Sequence, residues 1–360
     1  MSSFSEWFWN DSFWFPDGVS FRDFEDSPDI TYAKPRDMLY VPVIGLAIFG
    51  FRILFERFIA LPIAKYHQVS DGKERKPPKP NVKLEKFYKE ISRHPTEEQV
   101  DSISKRFDIP RSSVRSWFRR KRNWGRPDTQ TKFLETSWRF VFYSGVFTYG
   151  FGFLWKAPWL WDHAQCWIGF PHQNLDKATY IYYIAEASFY TSLLLSIMKD
   201  VRRKDFFEQL IHHIATLFLI IFSYFANFVR VGTLVMAIHD ISDIFLEGAK
   251  CVSYLKYAKT SEILFIIFAI TFIVTRIIIF PFWIIHTSAI KSFAIIGPFA
   301  SCYFFNALLG VLQCLHLYWA SIILRMAWKM LFPVSGEALK DDRSDTEELS
   351  ADDEDQKKDI

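Results

Sequence analysis

Three histidines and four acids lie in two stretches that are otherwise almost wholly apolar. The first reads Phe206-Phe207-Glu208-Gln209-Leu210-Ile211-His212-His213-Ile214-Ala215-Thr216. The second reads Met236-Ala237-Ile238-His239-Asp240-Ile241-Ser242-Asp243-Ile244-Phe245-Leu246-Glu247. Asp240, Asp243 and Glu247 follow at i, i+3 and i+7, so a helix carries them as one stripe. His212, His213, Asp240 and Asp243 are the candidate catalytic residues, with His239 and Glu247 as candidate substrate contacts. A neutral imidazole is nucleophilic and basic near neutral pH, and a carboxylate can fix its tautomer and stabilise the imidazolium. That pairing suits acyl transfer, with His as general base or as transient acyl carrier. Two His and two Asp could also ligate zinc or iron, and a purely structural polar network is a third reading. The chain holds nine His, of which only 212, 213 and 239 fall in this cluster, which is thin for a di-iron centre. No metal is assigned. No Gly-rich phosphate loop, Cys-x-x-Cys pair or Gly-x-Ser-x-Gly elbow competes. His316 is left outside the candidate set, while Arg52 and Arg276 are each placed to pair with an acid or meet a phosphate.

What must position these residues is membrane-embedded helix. Of 360 residues, half are hydrophobic and 18% aromatic, yet 43 Lys and Arg and 40 Asp and Glu are present. The near-zero mean hydropathy therefore averages two unlike populations. That apolar content excludes disorder throughout, and four Cys (166, 251, 302 and 314) make no disulfide framework. Residues 209–229 and 292–324 are free of Lys, Arg, Asp and Glu over 21 and 33 positions. About 20 residues cross a bilayer core of about 30 Å. Residues 38–60, 138–155, 178–198, 229–249 and 263–285 are nearly as apolar. The fold expected is all-α: a polytopic membrane protein of about seven transmembrane helices.

Counting Lys plus Arg between those segments gives 3 for residues 1–37, 19 for 61–137, 2 for 156–177 and 4 for 199–205. The turn at Arg230 has 1, 250–260 has 3, 286–302 has 1, and the tail from Arg325 has 6. Low and high alternate throughout, which places the N-terminus in the lumen and the tail in the cytosol. His212 then lies about 12 Å in from the cytosolic face, with Asp240 and Asp243 roughly 10–15 Å in on the antiparallel neighbour. Asn10-Asp11-Ser12 is a lumenal glycosylation sequon at Asn10. Trp7, Trp9 and Trp14 read as an interfacial anchor.

A basic cytosolic insert occupies residues 66–128. Its Pro-rich linker, Lys73-Glu74-Arg75-Lys76-Pro77-Pro78-Lys79-Pro80, cannot be regular helix. Two helices are expected after it, one capped by Thr96 with Gln99 and one over Arg111-Ser112-Ser113-Val114-Arg115-Ser116-Trp117-Phe118-Arg119-Arg120-Lys121-Arg122. The stretch before Thr96 reads as too irregular for a complete first helix. The second helix resembles the recognition helix of a homeodomain, with Trp117 and Phe118 as core side chains. It carries Arg120 where homeodomains place the adenine-pairing Asn, which disfavours DNA readout, and its tether between two spans favours anionic lipid or the rest of its own protein as the partner of Arg119 to Arg122.

Taken together, Arg203-Lys204-Asp205-Phe206, His212-His213, Gly232-Thr233-Leu234 and His239-Asp240-Ile241-Ser242-Asp243 resemble the signature motif of ceramide synthases, within the TLC membrane domain. The aromatic start Glu6-Trp7-Phe8-Trp9, the truncated homeodomain and the acidic Asp342-Arg343-Ser344-Asp345 extend the resemblance over nearly the whole chain. It implies N-acylation of a sphingoid base by a fatty acyl-CoA, giving (dihydro)ceramide and CoA. No cofactor is implied beyond acyl-CoA as co-substrate, whose nucleotide would lie near Arg202, Arg203 and Lys204. His212, His213, Asp240 and Asp243 match the family's essential positions. Chain-length choice is implied for the loop between the last two spans, residues 287–301. The division expected is a lumenal segment 1–37, a first span 38–60, the insert 66–128, a TLC domain 132–332 with six spans, and an acidic disordered cytosolic tail 333–360. That tail ends Lys357-Lys358-Asp359-Ile360, which resembles a dilysine retrieval signal and implies the endoplasmic reticulum. Ser344 and Ser350 resemble acidophilic kinase sites. Homo- or hetero-dimerisation is left open. So are two other readings: a lipid-binding TLC protein without acyl transfer, and a membrane-tethered regulator acting through the insert.

Overall fold

The computed structural model describes residues 4–332 except 29, 73, 74, 76, 125, 198 and 202. Ten helices of nine residues or more run in chain order among these. α1 covers Pro35–Tyr66. Three shorter helices follow: α2 (Val82–Glu90), α3 (Glu97–Phe107) and α4 (Arg111–Trp124). Then come α5 (Thr129–Leu154), α6 (Lys177–Ser196), α7 (Phe206–Phe225) and α8 (Val229–Tyr254). α9 (Ala258–Ile296) and α10 (Ala300–Leu331) close the bundle. Each of the seven apolar segments read from the sequence lies largely within one of α1 and α5 to α10.

Side-chain caps set several starts. Asp128 accepts from the Thr131 amide (2.6 Å) to open α5, and Asp176 accepts from the Thr179 amide (2.6 Å) to open α6. Turns end them: Asn227, Lys256 and Gly297 take positive φ between α7 and α8, α8 and α9, and α9 and α10. α8 is the central helix, packed against α5, α6, α7 and α9, while α1 lies on α6 and α10 closes against α7 and α9.

Four helices, α1, α7, α9 and α10, are long and apolar enough to cross a membrane on composition. The remaining three, α5, α6 and α8, are long enough but more polar, and α6 and α8 are the most buried of the long helices. α6 buries Tyr182, Tyr183, Glu186, Ser188 and Tyr190, and α8 buries His239, Asp240, Ser242 and Glu247. Polar side chains survive in a membrane bundle when neighbouring helices shelter them from lipid.

Three sequence expectations change. α9 runs on to Ile296, with Thr287, Ser288 and Ser292 buried and only Gly297 to Phe299 left as a turn. The loop expected over 287–301 is thus mostly helix, because no breaker interrupts the chain before Gly297-Pro298. Trp14 is fully buried rather than interfacial, stacked on Phe222 and in contact with Phe304 and Phe305, whereas Trp7 and Trp9 stay half exposed. In the insert, the stretch before Thr96 does form a helix, α2. Its Leu84, Phe87 and Tyr88 pack on Val114, Trp117 and Phe118 of α4, giving the three helices a core of their own. Thr96 and Gln99 form the expected capping box.

Candidate active site

α7 and α8 bring the predicted histidines together. His212 and His213 are sequence neighbours, so their side chains diverge around the helix, with ring centroids 5.8 Å apart. His212 is buried, its ring stacked 6.3 Å from His239 and edge-on to Trp319 of α10 at 5.5 Å. His213 turns toward Tyr190 of α6, 5.8 Å away. Among the described residues neither His212 Nδ1 nor His213 Nδ1 has a hydrogen-bond partner, although both atoms are buried. Unpaired ring nitrogens inside a bundle are costly unless a ligand is to meet them.

His239 is held at both ends. Its Nδ1–H donates to the Val235 carbonyl (2.6 Å), since a carbonyl can only accept. Its Nε2 must then accept, and the donor is His316 Nε2–H on α10 at 2.9 Å. With both nitrogens engaged, His239 offers substrate only its ring face. His316, outside the residues chosen from sequence, is fully buried and is its direct partner. The one signal for it was a histidine inside a run with no charges to solvate it.

The carboxylates take different partners from those the sequence suggested. Asp240 accepts from Tyr182 Oη (3.1 Å), and Asp243 accepts from Arg276 (2.8 Å), which also donates to the His239 carbonyl (2.9 Å). Among the described residues neither aspartate hydrogen-bonds His212 or His213. Glu247 is paired with Lys250 at 2.7 Å. Arg52, the other embedded arginine, reaches Asp200 (2.7 Å) and Glu56 (2.6 Å), and Arg139 joins it on Asp200 (2.8 Å). Among the described residues no three His, Cys, Asp or Glu side chains converge as a metal centre requires.

Two cavities lie beside the stacked His212 and His239 rings: His212 lines one and His239 the other. One, of about 1040 Å³, is lined by His212, His213, Asp243 and Glu247 together with Arg139, Arg203, Lys250 and Arg276. The other, of about 660 Å³, is walled chiefly by apolar side chains such as Leu219, Phe305 and Leu312, and reaches His239, Asp240 and Glu186. Arg203 therefore stands where an anionic co-substrate was expected, while Lys204 is exposed and does not line the cavity. Arg202, Ser344 and Ser350 lie outside the described residues, as does the acidic tail. Asn10 is exposed, and its side-chain oxygen accepts from the Ser12 amide (3.0 Å) and hydroxyl (2.7 Å).

Compared with known proteins, residues 132–325 match the TLC domain. Ceramide synthase 5 of Homo sapiens is 45% identical over 345 residues, which is 96% of this chain and 87% of that protein. Ceramide synthase 4 of Homo sapiens is 41% identical over 354 residues, covering 98% and 89%. Ceramide synthase 3 of Homo sapiens is 40% identical over 346 residues, covering 96% and 89%. The chain belongs to the ceramide synthases of the TLC-domain family.

Two close approaches in this ceramide synthase place the tyrosines that face the site. A Cβ at Gly232 would sit 1.7 Å from the Tyr183 hydroxyl, and one at Gly150 would sit 2.7 Å from the Tyr182 ring. Glycine is what lets those rings lie flat on α8 and α5. Tyr182 then reaches Asp240, and Tyr183 reaches Ser223 (3.1 Å) and the Val229 carbonyl (3.2 Å). The synthase's Gly232-Thr233-Leu234 triplet thus has a packing role in addition to its place in the motif.

Proposed function

We propose that this chain transfers a fatty acyl group from acyl-CoA to the amine of a sphingoid base, giving (dihydro)ceramide and CoA. One observation carries the reading. Two buried imidazoles, with Nδ1 atoms that have no partner among the described residues, line a charged cavity, and His239, stacked 6.3 Å from His212, lines an apolar one. The arginines and lysine of the first cavity suit the phosphates of CoA, and the second suits hydrocarbon. Membership of the ceramide synthases supports the same reaction.

His212 is the first choice for the reacting imidazole. In one route its nitrogen attacks the thioester carbon: the C–N bond forms, the C–S bond breaks and CoA leaves as thiolate, to be protonated. In the other it takes a proton from the amine as general base, which is worth roughly 10²–10⁴-fold in rate. Packing around the thioester excludes water, so transfer competes with hydrolysis. Arg276, bound at once to Asp243 and to the His239 carbonyl, locks α9 onto α8 beneath the reacting centre. The setting proposed is the endoplasmic-reticulum membrane, multi-pass, with a lumenal N-terminus and a cytosolic tail.

The test gives purified protein sphinganine and a panel of acyl-CoAs, and quantifies N-acyl product for the native chain, His212→Ala and His213→Ala. Product from the native chain that vanishes in either variant is expected. A folded native chain that makes no product with any acyl-CoA overturns the enzyme; two active variants overturn the site but not the reaction.

A further inference from the structure

Glu186 sits midway along α6 with no exposed surface, and among the described residues neither of its carboxylate oxygens accepts from a hydroxyl, an amide or a cationic side chain. The other buried acids are provided for: Asp200 by Arg52 and Arg139, Asp243 by Arg276, Glu247 by Lys250, Asp205 by Trp319 and Asp240 by Tyr182. Glu186 instead makes its side-chain hydrogen bond with the carboxyl of Asp240, so the two acids can hold one proton between them. Together the two line the polar end of the apolar cavity, beside His239 and Tyr190. Hydrocarbon gains nothing from such a pair, and each acid has given up its water to be there. An ionisable side chain held in a membrane interior at that cost marks a ligand or a proton path. A cation is the ligand that two acids facing one cavity would satisfy. The reacting imidazoles are close, since Tyr190 lies 6.4 Å from the His212 ring and 5.8 Å from that of His213.

We infer that Glu186 is the receiving group for the acceptor's amine: the ammonium of the sphingoid base docks between Glu186 and Asp240, and Glu186 takes its first proton. The inference rests on the acyl-transfer reading above. The ammonium gives one proton to the Glu186 carboxylate, which frees the nitrogen lone pair. That nitrogen attacks the acyl carbon and a C–N bond forms. The bond from that carbon to its leaving group breaks, whether thiolate sulfur or His212 nitrogen, and the nitrogen's second proton passes to the leaving group. One proton remains on Glu186 and returns to bulk solvent before the next turnover.

The test uses the full chain in detergent, comparing native protein with Glu186→Gln, which cannot take the proton, and Glu186→Asp, which can. Steady-state constants for each substrate are measured against pH, with the melting temperature as a control. For Glu186→Gln, kcat/KM for sphinganine is expected to fall by about 10²-fold or more while the KM for acyl-CoA stays within about twofold. Its kcat/KM should then climb about tenfold per pH unit between about pH 7 and 9, as solution supplies the free amine, where the native profile is flatter. Glu186→Asp should keep the native profile with a raised KM for sphinganine alone. Activity of Glu186→Gln within about threefold of native overturns the inference, as does an equal loss on both substrates with a native-shaped pH profile. Should Glu186→Gln unfold, Glu186→Asp decides: a sphinganine-specific KM rise supports the inference and an equal rise on both substrates sinks it. A native chain that makes no N-acyl product overturns the acyl-transfer reading itself, and this inference with it.

Discussion

Single side chains in this bundle are constrained by what they would leave unpaired. Tyr182 is the donor to Asp240, so Tyr182→Phe strips a buried carboxylate of its hydroxyl. An orphaned buried acceptor costs about 1–3 kcal/mol, and a lower melting temperature together with weakened turnover is expected. Gly232→Ala acts by volume instead. Its methyl would overlap the Tyr183 hydroxyl, and relieving such overpacking costs about 1–3 kcal/mol. The measurement is thermal unfolding in detergent, and a Gly232→Ala protein as stable as native would show that Tyr183 can swing aside freely. At this scale the sequence was informative about residue type and poor on partners. His212 and His213 were legible because imidazoles inside an apolar run have no ordinary reason to be there. His316 and Glu186 sit in similar runs, but their partners come from positions far along the chain: His239 lies 77 residues from His316.

Helices are joined here by ionic ties as well as by packing. Asp200, in the connection between α6 and α7, accepts from Arg52 of α1, Arg139 of α5 and the Ser196 hydroxyl of α6 (3.1 Å). Asp200→Asn takes away the carboxylate that two largely buried guanidinium groups share, leaving Arg52 with Glu56 and Arg139 with Glu135 at 4.0 Å. Breaking a buried pair from one side costs roughly 3–5 kcal/mol, so Asp200→Asn should lower the melting temperature well beyond a surface Asp→Asn control. The insert is a separate packing unit, and much of its basic helix is already engaged. Lys121 reaches Glu85 (2.8 Å), Arg122 donates to the Arg93 carbonyl (3.2 Å), and Arg115 pairs with Glu97. The Lys121 hydrogen bond holds the Glu85 carboxyl below its usual range. A depressed acid stabilises the fold above its unfolded pKa and loses that contribution as pH falls through its folded value. Protease resistance of residues 82–124 in the full chain should therefore hold at neutral pH and decline below about pH 4, and Lys121→Ala should blunt that decline. The capping box at Thr96 was readable from four residues. Helix α2 was not, because its apolar side chains become meaningful only against Trp117 and Phe118.

At the scale of the whole chain, polarity increases inward. The more polar helices α6 and α8 supply the acids and tyrosines of the site, and the more apolar α7, α9 and α10 bring His212, His213, Arg276 and His316 to it. The lumenal N-terminus proposed above is tested at Asn10. Peptide N-glycosidase treatment of protein expressed in a glycosylating cell should shift its mobility, and Asn10→Gln should abolish the shift. Mobility that is the same for native protein and Asn10→Gln, with or without the glycosidase, would remove the support Asn10 gives to a lumenal N-terminus.

The sequence by itself determined the helical membrane class, the seven long segments, the charge asymmetry between their connections and the histidine and aspartate types of the site. Those properties are periodic or compositional, and a bilayer reads them locally. Tertiary structure alone decided which group meets which: Arg276 on Asp243, Tyr182 on Asp240, His316 on His239, and Glu186 against the carboxyl of Asp240. It also decided that the expected 287–301 loop continues α9 and that Trp14 is buried against the bundle. The reason is physical. Helix formation and membrane insertion depend on neighbours within a few turns, whereas a hydrogen bond between helices depends on rotation and depth of both, which no single stretch of sequence encodes.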